Sequence, residues 1–192
     1  MNKVFVIGGT SKIGKIICST LEKSFIVRSF GSFDCDVRYK KNIQSIFHEE
    51  ENLYGLIYCS ALKSDIDALG DSEELEKLLS VNLFGAVHCL QEAAKIIKKG
   101  KIVVLGSVDG TFGNYKKTMY AVSKAALHTY TRCFATQVKE YIETICLVPG
   151  TITKDDDCQA IANFINSFMK DDITNIHSQL IRMDKGHHTF PI

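Results

Sequence analysis

Short runs of β-branched and aromatic residues alternate along the chain with longer segments in which apolar residues recur every three or four positions. The runs predict strands and the longer segments predict amphipathic helices, which together indicate a parallel sheet covered by helices on both faces. Strands are predicted at 3–7, 25–29, 55–59, 102–106, 143–148 and 179–183, with a weaker one near Phe33. Helices are predicted at about 13–21, 41–49, 72–98, 119–141 and 158–169. The predicted fold class is α/β, with one doubly wound parallel sheet of six or seven strands.

The composition fits one globular domain with balanced charge. Of the 192 residues, 45% are hydrophobic, which is enough to bury a substantial core. The 23 basic residues nearly balance the 22 acidic ones, so the chain lacks the positive field that attracts nucleic acid or anionic lipid. We therefore expect a single domain over residues 1–192 and no nucleic-acid partner.

Cysteine usage and the N-terminal sequence bear on location. The seven cysteines are odd in number and never in a CxxC spacing, which argues against a disulfide framework and against a zinc site. The chain enters an apolar strand directly, without a charged leader or a cleavage site. No window approaches the roughly 20 apolar residues that span a bilayer. We expect a soluble, cytoplasmic protein with reduced thiols and no membrane association.

A glycine-rich turn follows the first predicted strand. It reads GGTSKIG over residues 8–14 and leads into a helix. Glycines let the backbone approach a ligand closely, and a helix start offers unpaired N–H groups and a positive dipole end to a phosphate. Doubly wound sheets bind dinucleotides at this place. The turn predicts a dinucleotide phosphate site, and a tight turn without a ligand is the alternative.

A tyrosine and a lysine four residues apart form the strongest chemical signal. Tyr120 and Lys124 lie in a predicted helix, where this spacing places them on one face. The Lys124 ammonium would lower the pKa of Tyr120, which could then act as acid or base. Ser107 closes a predicted strand thirteen residues earlier and could donate to a developing oxyanion. The three residues predict proton transfer coupled to carbonyl reduction.

These motifs resemble the short-chain dehydrogenase/reductase family, which has a Rossmann-type fold and binds NAD or NADP. The turn departs from the family's TGxxxGxG, because Ile7 stands for the threonine and Lys12 for the middle glycine. Asn82 matches the family's asparagine, which holds a water linking the catalytic lysine to solvent; a plain buried, hydrogen-bonded asparagine is the alternative. The catalytic set that the resemblance implies is Asn82, Ser107, Tyr120 and Lys124.

Other matches to the family concern the cofactor. Asp36-Val37 resembles the pair that contacts the adenine ring, and residues 59–62 stand in place of the family's NNAG. Pro149-Gly150 resembles a segment close to the nicotinamide, with Ile152 beside the amide and Thr153 one position early. The implied cofactor-binding residues are Gly8, Thr10, Ser11, Lys12, Ile13, Gly14, Arg28, Asp36, Val37, Cys59, Ser60, Ala61, Tyr120, Lys124, Pro149, Gly150, Ile152 and Thr153.

The sequence favours NADP over NAD. NAD specificity usually depends on an acid at the end of the second strand, but here that region reads VRSFGS over residues 27–32, and the first acid is Asp34. Lys12 and Arg28 could bind the 2′-phosphate of NADP. For both residues, a solvated side chain without that role is the alternative.

Residues 151–157 are short where relatives carry one or two helices as a lid over the substrate. The acidic run Asp155-Asp156-Asp157 is read as the cap and first turn of the next helix rather than as a metal site. We expect an unusually open substrate cleft. A large or carrier-linked carbonyl substrate, or a neighbouring subunit, would complete it.

The implied function is hydride transfer between a nicotinamide cofactor and a ketone or secondary alcohol, in the direction of reduction if the cofactor is NADP. A non-catalytic dinucleotide sensor or scaffold would share the fold, although the whole catalytic set is present. A sugar-nucleotide epimerase or dehydratase would share YxxxK but needs a C-terminal substrate domain for which no residues are left. By resemblance, we expect a homodimer or homotetramer formed through the helices that carry Asn82 and Tyr120.

Overall fold

The computed structural model describes residues 1–48, 50–152 and 154–186. Within these ranges, six parallel strands form one sheet in the order β2-β1-β3-β4-β5-β6. The strands are β1 (Lys3–Ile7), β2 (Ile26–Phe30), β3 (Gly55–Tyr58), β4 (Gly100–Leu105), β5 (Ile142–Pro149) and β6 (Leu180–Met183). The order reverses between β1 and β3, which opens a crevice at their carboxyl ends. The predicted α/β class and parallel sheet are confirmed.

The weaker strand predicted near Phe33 does not form. Phe33 lies fully exposed in a turn after β2, where the N–H groups of Asp34 and Cys35 donate to the carbonyl of Gly31. The Asp34 carboxylate in turn accepts from the Gly31 N–H at 3.0 Å. These local hydrogen bonds use the backbone groups that a seventh strand would need for pairing.

Seven α-helices surround the sheet in the described ranges. They are α1 (Lys12–Leu21), α2 (Lys40–His48), α3 (Ser72–Leu79), α4 (Ala86–Ile96), α5 (Asp109–Phe112), α6 (Thr118–Val138) and α7 (Asp155–Met169). The helix predicted as continuous over 72–98 is interrupted, because a π-helical turn at Ser80–Gly85 separates α3 from α4. The short helix α5 was not predicted.

Two apolar clusters, one on each face of the sheet, account for the layered packing. Phe5 and Ile7 of β1 belong to the cluster covered by α2, α4 and α6. Val4 and Val6 alternate with them and belong to the cluster covered by α1 and α7. Because successive side chains of a strand point to opposite faces, each buried strand supplies both clusters. This is the doubly wound arrangement predicted from the continuous apolar runs.

The acidic run at the start of α7 caps that helix, as predicted. The Asp157 carboxylate accepts from the Lys154 N–H at 3.2 Å and also pairs with Lys185. Asp155 pairs with Lys12 of α1 at 2.7 Å. Across the residues that the structure describes, no group of three or more His, Cys, Asp or Glu side chains could hold a metal ion. Only residues 150–154 connect β5 to α7.

All seven cysteines are free thiols, and only Cys133 is exposed. Several of them lie in the two apolar clusters, where a thiol packs as a small hydrophobe. In the described part of the chain, no helix combines the length and the apolar character needed to cross a membrane.

Candidate active site

The glycine turn between β1 and α1 is tightly packed against the loop after β3. Gly8 adopts a positive φ of 91°, and a Cβ there would lie 2.6 Å from the Ser60 nitrogen. A Cβ on Gly14 would lie 2.2 Å from the Gly8 carbonyl oxygen. Ser11 caps α1, since its hydroxyl accepts from the Gly14 N–H at 3.1 Å and donates to the Gly8 carbonyl at 2.7 Å. The turn has no space for side chains at these two glycines.

A cavity of about 430 Å³ opens on one side of this turn. Its walls include the sequence-predicted residues Gly8, Thr10, Ser11, Asp36, Val37, Cys59, Ser60 and Ala61. We call it the adenosine-side cavity, because it follows the carboxyl ends of β1 and β2 where such sheets place the adenosine. Arg38 and Ser32 also line it, and both were missed by the sequence analysis.

Two cations, Arg38 and Lys77, line the adenosine-side cavity, and Arg38 is the one that follows β2 directly. Its guanidinium pairs with the Asp36 carboxylate at 2.6 Å, and this hydrogen-bonded pair lowers the pKa of Asp36. The signal was present in the sequence as an arginine two residues beyond Asp36. Its relevance depends on the turn at 31–37, which brings this segment back to the crevice.

The two cations proposed from the sequence lie elsewhere. Arg28 is in the middle of β2, where its guanidinium stacks 5.4 and 5.3 Å from the ring centroids of Phe5 and Phe30. It does not line the adenosine-side cavity, because its side chain stays over the sheet face beside these rings. Lys12 faces the next cavity along the crevice and pairs with Asp155. Neither residue lines the adenosine-side cavity, and their role toward a 2′-phosphate stays a prediction.

A second cavity of about 310 Å³ joins the glycine turn to the predicted catalytic residues. Lys12, Ile13, Cys59, Ala61, Tyr120, Lys124, Pro149 and Ile152 all line it. We call it the nicotinamide-side cavity. Gly150 lines the adjoining space in front of Ser107. Thr153 lies outside the described residues.

Ser107 and Tyr120 meet where β4 and α6 converge. Both side chains are buried, and the Tyr120 phenol is hydrogen-bonded to Ser107. The Ser107 Oγ accepts from the Asp109 N–H at 3.2 Å, so its own hydrogen can take part in the bond with Tyr120. A carbonyl oxygen that displaced this mutual bond would meet two O–H donors.

The protonation of Tyr120 differs from the prediction. Burial raises the pKa of Tyr120, and the hydrogen bond with Ser107 only partly opposes this. Lys124 does not lower it here, because its Nζ donates to the Leu105 carbonyl at 2.9 Å and lies 5.9 Å from the Tyr120 ring centroid. Burial lowers the pKa of Lys124 itself to about 8. In the free protein Tyr120 holds its proton at neutral pH, which suits an acid.

Asn82 lies in the π-helical turn and is fully buried. Its side-chain oxygen accepts from the Leu62 N–H at 2.8 Å, and its amide donates to the Leu62 carbonyl at 3.0 Å and to the Ser123 hydroxyl at 2.9 Å. Ser123 in turn donates to the Tyr120 carbonyl at 2.7 Å. The side chain of Asn82 thus ties the loop after β3 to the first turn of α6. These bonds show a buried, hydrogen-bonded side chain, and the water link to the catalytic lysine stays a prediction.

His128 is a neighbour of the site that the sequence analysis missed. Its Nε2 accepts from the Ser107 N–H at 3.2 Å, so the ring is neutral there. Burial, reinforced by the Lys124 charge, lowers the pKa of His128 to about 4. A Cβ on Gly106 would lie 2.3 Å from this nitrogen. The available signal was spacing, since His128 follows Lys124 by four residues on the same helix face.

The fold, the glycine turn and this cluster define a dinucleotide-binding oxidoreductase of the Rossmann class. A profile of the short chain dehydrogenase family matches residues 27–160, which is more than half of the chain. The chain therefore belongs to the short-chain dehydrogenase family of NAD(P)-dependent oxidoreductases.

Individual relatives agree with this family. Carbonyl reductase family member 4 of Xenopus laevis is 30% identical over 183 residues, covering 81% of this chain and 78% of the relative. Tropinone reductase-like 3 of Erythroxylum coca is 30% identical and covers 62% of this chain and 48% of the relative. The 3-oxoacyl-[acyl-carrier-protein] reductase of Bos taurus is 29% identical, with 65% and 56% covered. The chain thus spans only about half the length of the latter two proteins.

Proposed function

We propose that this protein reduces a ketone to a secondary alcohol with a nicotinamide dinucleotide. The observation that carries the proposal is the convergence of Tyr120, Ser107 and Lys124 beside a cavity that continues to the glycine turn. When bound, the cofactor supplies the hydride. The carbonyl reductase and oxoacyl reductase relatives act on carbonyl groups by name, which supports the same reaction class here.

The chain's own residues would handle the proton and the charge. Tyr120 keeps its proton at neutral pH and gives it to the carbonyl oxygen as that oxygen becomes negative. With a substrate bound, Ser107 would donate its hydroxyl hydrogen to the same oxygen instead of to Tyr120 and stabilise the developing charge. Lys124 would bind the ribose of the cofactor through its ammonium. Asn82 positions the first turn of α6 through Ser123.

NADP is the cofactor we favour over NAD. The Arg38 guanidinium and the Ser32 side chain line the adenosine-side cavity, where a 2′-phosphate would lie. The nearest acid after β2, Asp34, is engaged with the Gly31 N–H and does not line that cavity. Arg38→Gln should weaken NADPH binding about tenfold and leave NADH binding nearly unchanged. Arg28→Gln is the matched control, and an equal loss in both variants would contradict this assignment.

The short connection of residues 150–154 supports an open substrate cleft. We propose that a large or carrier-linked carbonyl compound, or a neighbouring subunit, covers the nicotinamide side. We also propose that the protein forms a homodimer or homotetramer and that it is cytoplasmic.

The function is tested by titrating NADH and NADPH into the protein and then following the loss of reduced-nicotinamide absorbance with a panel of ketones. We expect tight binding of at least one nucleotide and turnover of some ketones. Binding without turnover of any carbonyl compound would favour a sensor or scaffold of the same fold. An absence of binding to either nucleotide would remove the proposal altogether.

A further inference from the structure

A small cavity of about 120 Å³ lies directly in front of Ser107 and Tyr120, on the side where a substrate must enter. Lys63 comes from the loop after β3 and Lys117 from the residue that precedes α6, so two separate elements place cations on its wall. The catalytic scheme gives neither lysine a role. Two positive charges therefore line the same small cavity as Ser107 and Tyr120.

Lys63 is an exposed cation close to Lys124. It lines both the small cavity and the nicotinamide-side cavity, and its charge is one cause of the lowered pKa of Lys124. Within the described part of the chain, none of the ion pairs includes Lys63. Two neighbouring ammonium groups repel each other unless an anion lies between or beside them.

Lys117 is also poorly placed for stability alone. It occupies the N-cap of α6, where the positive end of the helix dipole disfavours a cation and where its side chain makes no capping hydrogen bond. Its ion pair with Asp65 spans 3.4 Å, and the Asp65 side chain is 83% exposed, so the pair adds little stability. The helix dipole and the ammonium both attract an anion to this wall.

One acid, Asp109, shares the cavity wall. Its carboxylate is occupied, because it accepts from the Asn114 side-chain amide at 3.0 Å. Among the residues that line the small cavity, two lysines outnumber one carboxylate, and the further acid Asp65 that pairs with Lys117 is highly exposed. Its size suits a small group next to the carbonyl rather than a long chain.

We propose that the carbonyl substrate is an oxo acid whose carboxylate is bound by Lys63 and Lys117 while its carbonyl faces Ser107 and Tyr120. The inference rests on the proposed reductase function, and it narrows the substrate to a free oxo acid, so that a neighbouring subunit rather than a carrier would cover the open cleft. An ammonium on each side of the carboxylate would hold the carbonyl carbon in register with the two O–H donors. An uncharged ketone would make no ion pair with either lysine.

The test compares acetoacetate with its uncharged analogue methyl acetoacetate. We expect the parent protein to reduce the acid with a kcat/KM about tenfold or more above that of the ester. Lys63→Gln and Lys117→Gln should each lower kcat/KM for the acid about tenfold and leave the ester within about twofold. Lys98→Gln, which removes the same charge beside the opposite end of the sheet, should change neither value.

A binding arm separates this inference from the reductase proposal. Calorimetric titration of the NADPH-loaded Tyr120→Phe variant should show tighter binding of acetoacetate than of the ester, and Lys63→Gln should remove the difference. If acetoacetate binds more tightly than the ester but the parent reduces neither, the reductase proposal is contradicted and the acid site is supported. Equal binding and equal kcat/KM for acid and ester, or an equal loss in Lys98→Gln, would overturn the acid site and leave the reductase intact.

Discussion

At the scale of single residues, the side chains around Ser107 differ in whether they titrate near physiological pH. His128 is neutral and accepts from the Ser107 N–H, while the Ser107 Oγ accepts from the Asp109 N–H. Tyr120 holds its proton because burial raises its pKa. Lys124 is the one member whose pKa, about 8, lies close to physiological pH.

The titration of Lys124 predicts the alkaline limit of activity. Burial lowers the pKa of Lys124 to about 8, so the ammonium is present below that pH and is lost above it. The kcat/KM for ketone reduction should be flat near neutral pH and fall about tenfold per unit above pH 8. In Lys124→Arg the guanidinium stays charged, and any residual activity should continue to higher pH. An unchanged kcat/KM in the parent up to pH 10 would refute this role of Lys124.

His128 predicts a loss of stability in mild acid. Its pKa falls from the usual 6.5 to about 4 on folding, so the fold favours the neutral ring and the unfolded chain binds the proton first. Between pH 7 and pH 5 this should reduce the free energy of unfolding by about 2 kcal/mol. The variant His128→Gln keeps an acceptor for the Ser107 N–H and should lose less over the same range, as measured by urea unfolding. Equal losses in parent and variant would show that His128 is not the group responsible.

At the scale of elements, the π-helical turn at Ser80–Gly85 shapes the helix next to the site. The Tyr58 phenol donates to the Val81 carbonyl at 2.5 Å. The Asn82 side chain accepts from the Leu62 N–H and donates to the Leu62 carbonyl. A Cβ on Gly85 would lie 2.7 Å from the Tyr58 oxygen, so this position has space only for glycine. The residues of this turn have partners twenty or more residues away. A sequence periodicity over 72–98 could not reveal it.

The tight packing of the glycine turn predicts that one added methyl group will lower both stability and NADPH affinity. Gly14→Ala would place a Cβ 2.2 Å from the Gly8 carbonyl oxygen, so the turn must shift. We expect the free energy of unfolding to fall by about 2 kcal/mol and NADPH affinity to fall more than about tenfold. Ser19→Ala installs the same residue on the exposed side of α1 and should change neither quantity by much. Fluorescence titration and urea unfolding measure both, and a variant that binds NADPH like the parent would contradict the phosphate site.

At the scale of the whole molecule, the sequence predicted the sheet well because each buried parallel strand is a continuous apolar run, as in residues 102–105. The strand prediction failed where local hydrogen bonds determine the backbone conformation, as in the turn around Phe33. The cations chosen for the adenosine side show a second limit of prediction from sequence. Lys12 and Arg28 were chosen by position in the chain, whereas only coordinates show that Lys12 pairs with Asp155 and that Arg38 lines the cavity.

The central claim is that Tyr120, Ser107 and Lys124 act together on a carbonyl beside a bound nicotinamide. The most direct measurement compares Tyr120→Phe with the parent in two assays, NADPH titration and steady-state ketone reduction. The ring of phenylalanine keeps the packing of Tyr120, so NADPH affinity should stay within about twofold. Loss of the phenolic proton should lower turnover by about 100-fold or more. If Tyr120→Phe reduces ketones as fast as the parent, Tyr120 is not the acid and the account of the site is wrong.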